Sequence, residues 1–97
     1  MGVKAVARIK VPFAIQEVLP TPNPNALKFV LDHAVSQQPM SFLTPAAAVN
    51  HPLAQKLFDI AGVTSVLLLG DFVTINKSSD ARWPDIKRNV QQVLSST

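Results

Sequence analysis

Apolar residues recur at every second position in some stretches of this chain and at every third or fourth in others. The switches between the two rhythms divide it into elements. Phe13 to Leu19 predicts a first strand, with Phe13 and Ile15 directed inward and the alternation degrading at Glu17. Ala26 to Asp32 predicts a second, with Leu27, Phe29 and Leu31 on one face and Lys28, Val30 and Asp32 on the other. That half-apolar pattern suits an antiparallel sheet covered on one side. Residues 33–38 are polar and read as a turn, and Met40 to Leu43, bounded by Pro39 and Pro45, as a short third strand. Ala46, Ala47 and Ala48 favour helix but are too few to form one alone.

From Pro52 to Ala61 the rhythm becomes helical. Leu53, Ala54, Leu57, Phe58 and Ala61 form one stripe, with Gln55, Lys56 and Asp59 opposite. Pro52 fits the first turn, where its missing donor is harmless, Asn50 or His51 supplies the cap, and Gly62 is expected in a left-handed conformation that stops the helix. Val63 to Leu69 and Phe72 to Lys77 then flank Gly70-Asp71, a hairpin signal. The implied register sets Leu68 against Val73 and Val66 against Ile75 on the core face. Ser65, Leu67 and Leu69 lie opposite Asn76, Thr74 and Phe72 on the other. After a polar loop, Pro84 places a helix start, and Trp83, Ile86, Val90, Val93 and Leu94 recur at helical spacing. The fold expected is α+β with two layers. A mostly antiparallel sheet of about five strands carries two amphipathic helices on one face, in β-β-β-α-β-β-α order.

The connection between the first two strands, Pro-Thr-Pro-Asn-Pro-Asn, is a stiff one. Proline fixes φ, and Asn23 and Asn25 can bond their own backbone. Before it, Val3 to Val11 alternates apolar residues with Lys4, Arg8 and Lys10. Residues 1–12 are expected to be a basic, frayed leader, with residues 13–97 as the one folded domain.

Composition narrows the function classes. An apolar fraction of 47% against 15% charged residues supports a packed core rather than disorder. The net charge of +3 suggests an anionic partner until the charges are located. Without Lys4, Arg8 and Lys10 the remaining bases and acids balance. The bases left are scattered, and tyrosine is absent, which argues against a nucleic-acid surface. No apolar run has the length to span a membrane, and the charges in residues 1–10 interrupt any secretory core, so a cytoplasmic location is expected, with an organellar targeting segment as the weaker alternative because nothing acidic precedes Glu17. The chain has no cysteine, which excludes disulfides, thiolate catalysis and thiolate-held clusters within it.

Nothing in the remaining residues assembles a reaction. His33 and His51 stand in no metal-ligand spacing, and His51 beside Pro52 reads as a helix cap. The acids show no paired arrangement for acid–base work, and the isolated glycines make no phosphate loop. No catalytic, cofactor-binding or metal residue is therefore assigned. Leu67, Leu69 and Phe72 are the exception of interest. If the second face of the sheet is uncovered, they make an exposed apolar patch suited to a partner.

In order along the chain, Thr21-Pro22-Asn23-Pro24-Asn25 with Leu27-Lys28-Phe29, Thr44-Pro45-Ala46-Ala47-Ala48, Pro52-Leu53-Ala54 with Leu57-Phe58, Gly62-Val63, Ser65-Val66, and Asp71-Phe72-Val73-Thr74 with Lys77 and Trp83 form an ordered set. Together they resemble the amino-terminal domain of Nfu/NifU-type iron–sulfur scaffold proteins over residues 13–94. In that family a second domain holds a transferable cluster on a C-x-x-C motif. The resemblance therefore implies a stand-alone accessory module, non-catalytic, acting in cluster assembly or delivery through contacts with a cluster-assembly scaffold or a client apoprotein. Iron binding would come by homology only, and a cluster only through the partner. The alternative expected is a self-associating or general peptide-binding domain outside cluster biology.

Overall fold

The structure, a computed structural model, describes residues 12–96. The leader expected over residues 1–12 lies outside the described residues except at Pro12. Five strands, β1 (Ile15–Pro20), β2 (Ala26–Leu31), β3 (Ser36–Phe42), β4 (Val63–Gly70) and β5 (Phe72–Lys77), form one antiparallel sheet in the order β1-β2-β5-β4-β3. Helices α1 (Pro52–Phe58) and α2 (Trp83–Ser95) cover one face, and a 3-10 turn over Pro45–Ala48 leads into α1. The expected class, layering and element order are those of the molecule.

The core follows from strand parity. Leu68 pairs with Val73 and Val66 with Ile75 in the β4–β5 hairpin, while Phe29 pairs with Val73 across to β2. Their side chains meet Leu53, Ala54 and Leu57 of α1 and Ile86, Val90 and Leu94 of α2 in a single buried cluster. Burying each Leu or Ile there is worth about 1.5–3 kcal/mol, which outweighs the weak intrinsic stability of a helix as short as α1. The hairpin turn is tight. Gly70 has φ +57° and Asp71 does not have a positive φ, the type II′ pattern with glycine first.

Three local expectations are corrected. Residues 36–38 belong to β3, which begins at Ser36 rather than Met40. Its register against β4 shifts between Ser36 and Met40, and this irregularity at a sheet edge accommodates Pro39. Polar residues facing solvent on an edge leave no alternation for a sequence reading to detect. Helix α1 ends at Phe58, and Ile60, not Ala61, takes the buried place below it. Gly62 has the expected positive φ, at +94°, but serves the turn closed by Val63 N–H donating to the Ile60 carbonyl rather than the helix terminus itself. At the other end of α1, His51 is the cap, its Nδ1 accepting the Ala54 N–H at 3.2 Å.

Candidate functional site

Strand alternation that sends Val66, Leu68, Val73 and Ile75 under the helices sends Ser65, Leu67, Leu69, Phe72, Thr74 and Asn76 to the opposite face. No helix covers that face among the described residues. Leu67, Leu69 and Phe72 lie together there, half-buried by their neighbours in the sheet. Val30, paired with Phe72, extends the apolar area toward β2, and Ser41, paired with Leu67, bounds it on β3.

Lys28, paired with Thr74, is the one cation on this face among the described residues. The Lys28 Nζ stands 4.1 Å from the centroid of the Phe72 ring, a cation–π contact worth about 0.5–1 kcal/mol at an exposed site. The face thus offers aliphatic and aromatic surface flanked by one basic group, Lys28, and one acidic group, Glu17, which pairs with Val30 on the β1 side, a composition suited to protein contact.

Chemistry requiring converging polar groups is not assembled elsewhere among the described residues. No group of three or more His, Asp or Glu side chains is placed to hold a metal ion. With no cysteine in the chain, the donor set does not fit an iron–sulfur cluster. Two open clefts beside the helices, of about 370 Å³ and 420 Å³, carry Lys56, Asp59 and Asn89 in one and Ser78, Asp80 and Arg82 in the other, without an enclosed centre. His33 is occupied at the β2 end, its Nδ1 2.9 Å from the Asp32 Oδ1 and its ring stacked 4.3 Å from Phe13. Asp32 also accepts the Ala14 N–H at 3.0 Å, and that backbone bond, with His33 adding to it, holds the carboxyl below its ordinary value.

Several residues of the ordered motif set prove to hold the scaffold in place. Thr21 Oγ1 donates within the β1–β2 connection, and Asn25 N–H donates to the Asn23 side chain at 2.9 Å, fixing that loop. Lys77 Nζ reaches the Asn25 Oδ1 at 3.0 Å and lies 5.7 Å from the Trp83 ring, while the Trp83 Nε1–H donates to the Pro24 carbonyl at 3.1 Å. The loop is thereby latched to the start of α2. Trp83 is half-buried, packing against the edge of the core while clamping the loop.

Sequence reading missed the most exposed large apolar residues, Leu43 at 75%, Val49 at 59% and Met40 at 36%. All three lie in and after β3. A signal for them exists in the sequence, since from Ala34 to Gln55 there is no Asp, Glu, Lys or Arg.

The profile of the family described as "Scaffold protein Nfu/NifU N terminal" matches residues 15–97. The human protein named "NFU1 iron-sulfur cluster scaffold homolog, mitochondrial" is 43% identical over 82 residues, covering 78% of this chain and 32% of its own length. A NifU-like protein of Schizosaccharomyces pombe is 40% identical over 79 residues, covering 76% of this chain and 30% of its own. This chain therefore spans about a third of these relatives. The solution structure of a NifU-like protein from Saccharomyces cerevisiae superposes with a TM-score of 0.72 at 32% identity, covering 86% of this chain and 77% of that one. A Staphylococcus aureus protein, at 23% identity and a TM-score of 0.68, covers 82% of this chain and 96% of its own and shares the fold. No helix among the described residues is long and apolar enough to cross a membrane. A family match over most of the chain, with relatives at about 40% identity and a solved structure of the same fold, leaves one assignment: the chain belongs to the Nfu/NifU scaffold family, as its amino-terminal domain.

Proposed function

We propose that this chain is a non-catalytic interaction module of iron–sulfur cluster assembly or delivery. It engages a cluster-assembly scaffold or a client apoprotein through the open sheet face that carries Leu67, Leu69 and Phe72. The observation that carries this reading is the family match over residues 15–97 in a chain that has no thiolate to offer. The cluster is cargo held by the partner, and this domain contributes recognition. An apolar face that no helix covers among the described residues, with Lys28 and Glu17 as its flanking charges, supports that role, because interface centres favour aromatic and aliphatic surface with few charges.

Two measurements test it. Anaerobic incubation of the chain with ferrous iron and sulfide, followed by visible absorption, is expected to leave no stoichiometric cluster on it; a stable one overturns the cargo assignment. Affinity co-purification from the native cell is expected to recover cluster-assembly proteins or their clients with the wild-type chain and to lose them with Leu67→Asp and Leu69→Asp. Equal recovery by the variants removes the open face from the proposal, and recovery of none by the wild type removes the cluster role. The compartment we propose is the cytoplasm. The human relative is named mitochondrial, and fractionation that finds this chain in an organelle overturns that placement.

A further inference from the structure

Strand β3 is an edge of the sheet, and its exposed margin differs from the other edge. β1 carries Glu17, whereas β3 and the segment after it, through Gln55, carry no charged side chain, and neither does the neighbouring β4. Edge strands of monomeric proteins are commonly protected by charges, bulges or proline. Here the irregularity and Pro39 fall in the first half of the strand, leaving Met40 to Phe42 regularly paired and open on the outer side.

The direction of the backbone groups follows from the ladder. The Gly70 carbonyl accepts the Val35 N–H, so Gly70 faces β3, and by alternation Leu68 and Val66 face it too. Their partners Met40 and Phe42 accordingly spend their backbone groups on β4. The N–H and C=O of Ser41 then point away from the sheet.

We infer that a second copy of this chain pairs with the β3 edge, antiparallel, about a two-fold axis through Ser41. Each Ser41 N–H donates to the Ser41 carbonyl of the other copy, the outward-facing pair that the regular ladder from Met40 to Phe42 defines. In this register Met40 covers the edge of Phe42 on the helix side, and Leu43, just past the end of the strand, is brought near the other copy. The occupant is a second copy because an isologous contact brings each residue near its own equivalent, where any charge would repel itself. This margin, without Asp, Glu, Lys or Arg from Ala34 to Gln55, meets that condition.

The contact is independent of the partner proposed for Leu67, Leu69 and Phe72, and its test separates them. Sedimentation of the whole chain is expected to show a mass rising from 10.5 kDa toward twice that value between about 10 μM and 1 mM. Over the same range, amide exchange at Ser41 slows while Met40 and Phe42, already bonded to β4, are unchanged. Ser41→Pro removes only an outward N–H, and Leu43→Asp places like charges at the two ends of the pairing. Each is expected to raise the dissociation constant at least about tenfold with an unchanged circular dichroism spectrum. Leu69→Asp, on the open face, is expected to leave it unaltered. A monomer throughout, or a dimer indifferent to both β3 variants, overturns the inference.

Discussion

Gly62 is where the backbone and the packing make separable demands, and substituting it by alanine measures both. Its φ of +94° lies outside the region an L-residue favours, and a Cβ built there falls 2.6 Å from the Cβ of Ala81. The positive φ costs about 1–2 kcal/mol. Relieving the contact requires the loop at Ser78–Arg82 to retreat, which loosens the 2.8 Å bond from Ser78 N–H to the Gly62 carbonyl and adds about 1–3 kcal/mol of overpacking. Reduced freedom of the unfolded chain offsets about 0.4–1 kcal/mol. Gly62→Ala is therefore expected to destabilise by about 3 kcal/mol. Gly70→Ala is the internal control, because φ is +57° there and nothing lies within 4 Å of the added carbon. Its cost is the backbone term alone, about 1 kcal/mol net. Urea titrations and thermal melts by circular dichroism read the difference, with Tm falling about 4–8 °C per kcal/mol in a domain of this size. Adding Ala81→Gly to Gly62→Ala is expected to recover the steric part but not the backbone part, read as coupling in a double-mutant cycle. Equal losses for the two glycines, or no coupling with Ala81, would refute the reasoning.

Other outcomes follow from the same contacts. Trp83→Phe keeps the ring against the core but removes the donor to the Pro24 carbonyl, and a loss of about 1 kcal/mol is expected, with faster amide exchange in the Thr21–Asn25 loop. Leu68→Ala, at a fully buried site, is expected to cost about 2–5 kcal/mol by chemical denaturation. For Asp32 the folded carboxyl is held below its ordinary value, so its stabilisation is complete above the unfolded-state value and disappears as pH falls through the folded one. Wild type is therefore expected to exceed Asp32→Asn in stability at neutral pH and to match it in strong acid. A gap that widens on acidification would show that the Ala14 and His33 contacts do not favour the ionised form.

What was legible in the sequence is what period and punctuation encode. The hairpin register came from counting outward from Gly70-Asp71, because a two-residue turn fixes which residues face each other. The stripe of α2 was legible because Ile86, Val90 and Leu94 repeat at helical spacing and are all buried. β3 was only partly legible, since its first residues face solvent and its irregular register breaks any alternation. Ile60 and Ala61 exchanged roles because α1 stops at Phe58, where the turn to Gly62 overrides the helical count.

The sequence by itself determined the class of the fold, the division of β4 and β5 into two faces, and the absence of thiolate chemistry, since each depends on residue type and local spacing. It also placed Leu67, Leu69 and Phe72 on one face. Only the tertiary structure decided that β2 sits beside β5, that β3 lies at an edge with Leu43 and Val49 exposed, and that Lys77 and Trp83 clamp a loop more than fifty residues earlier in the chain. Those arrangements join distant segments, and they are set by which apolar faces can be buried together rather than by any pattern within one segment.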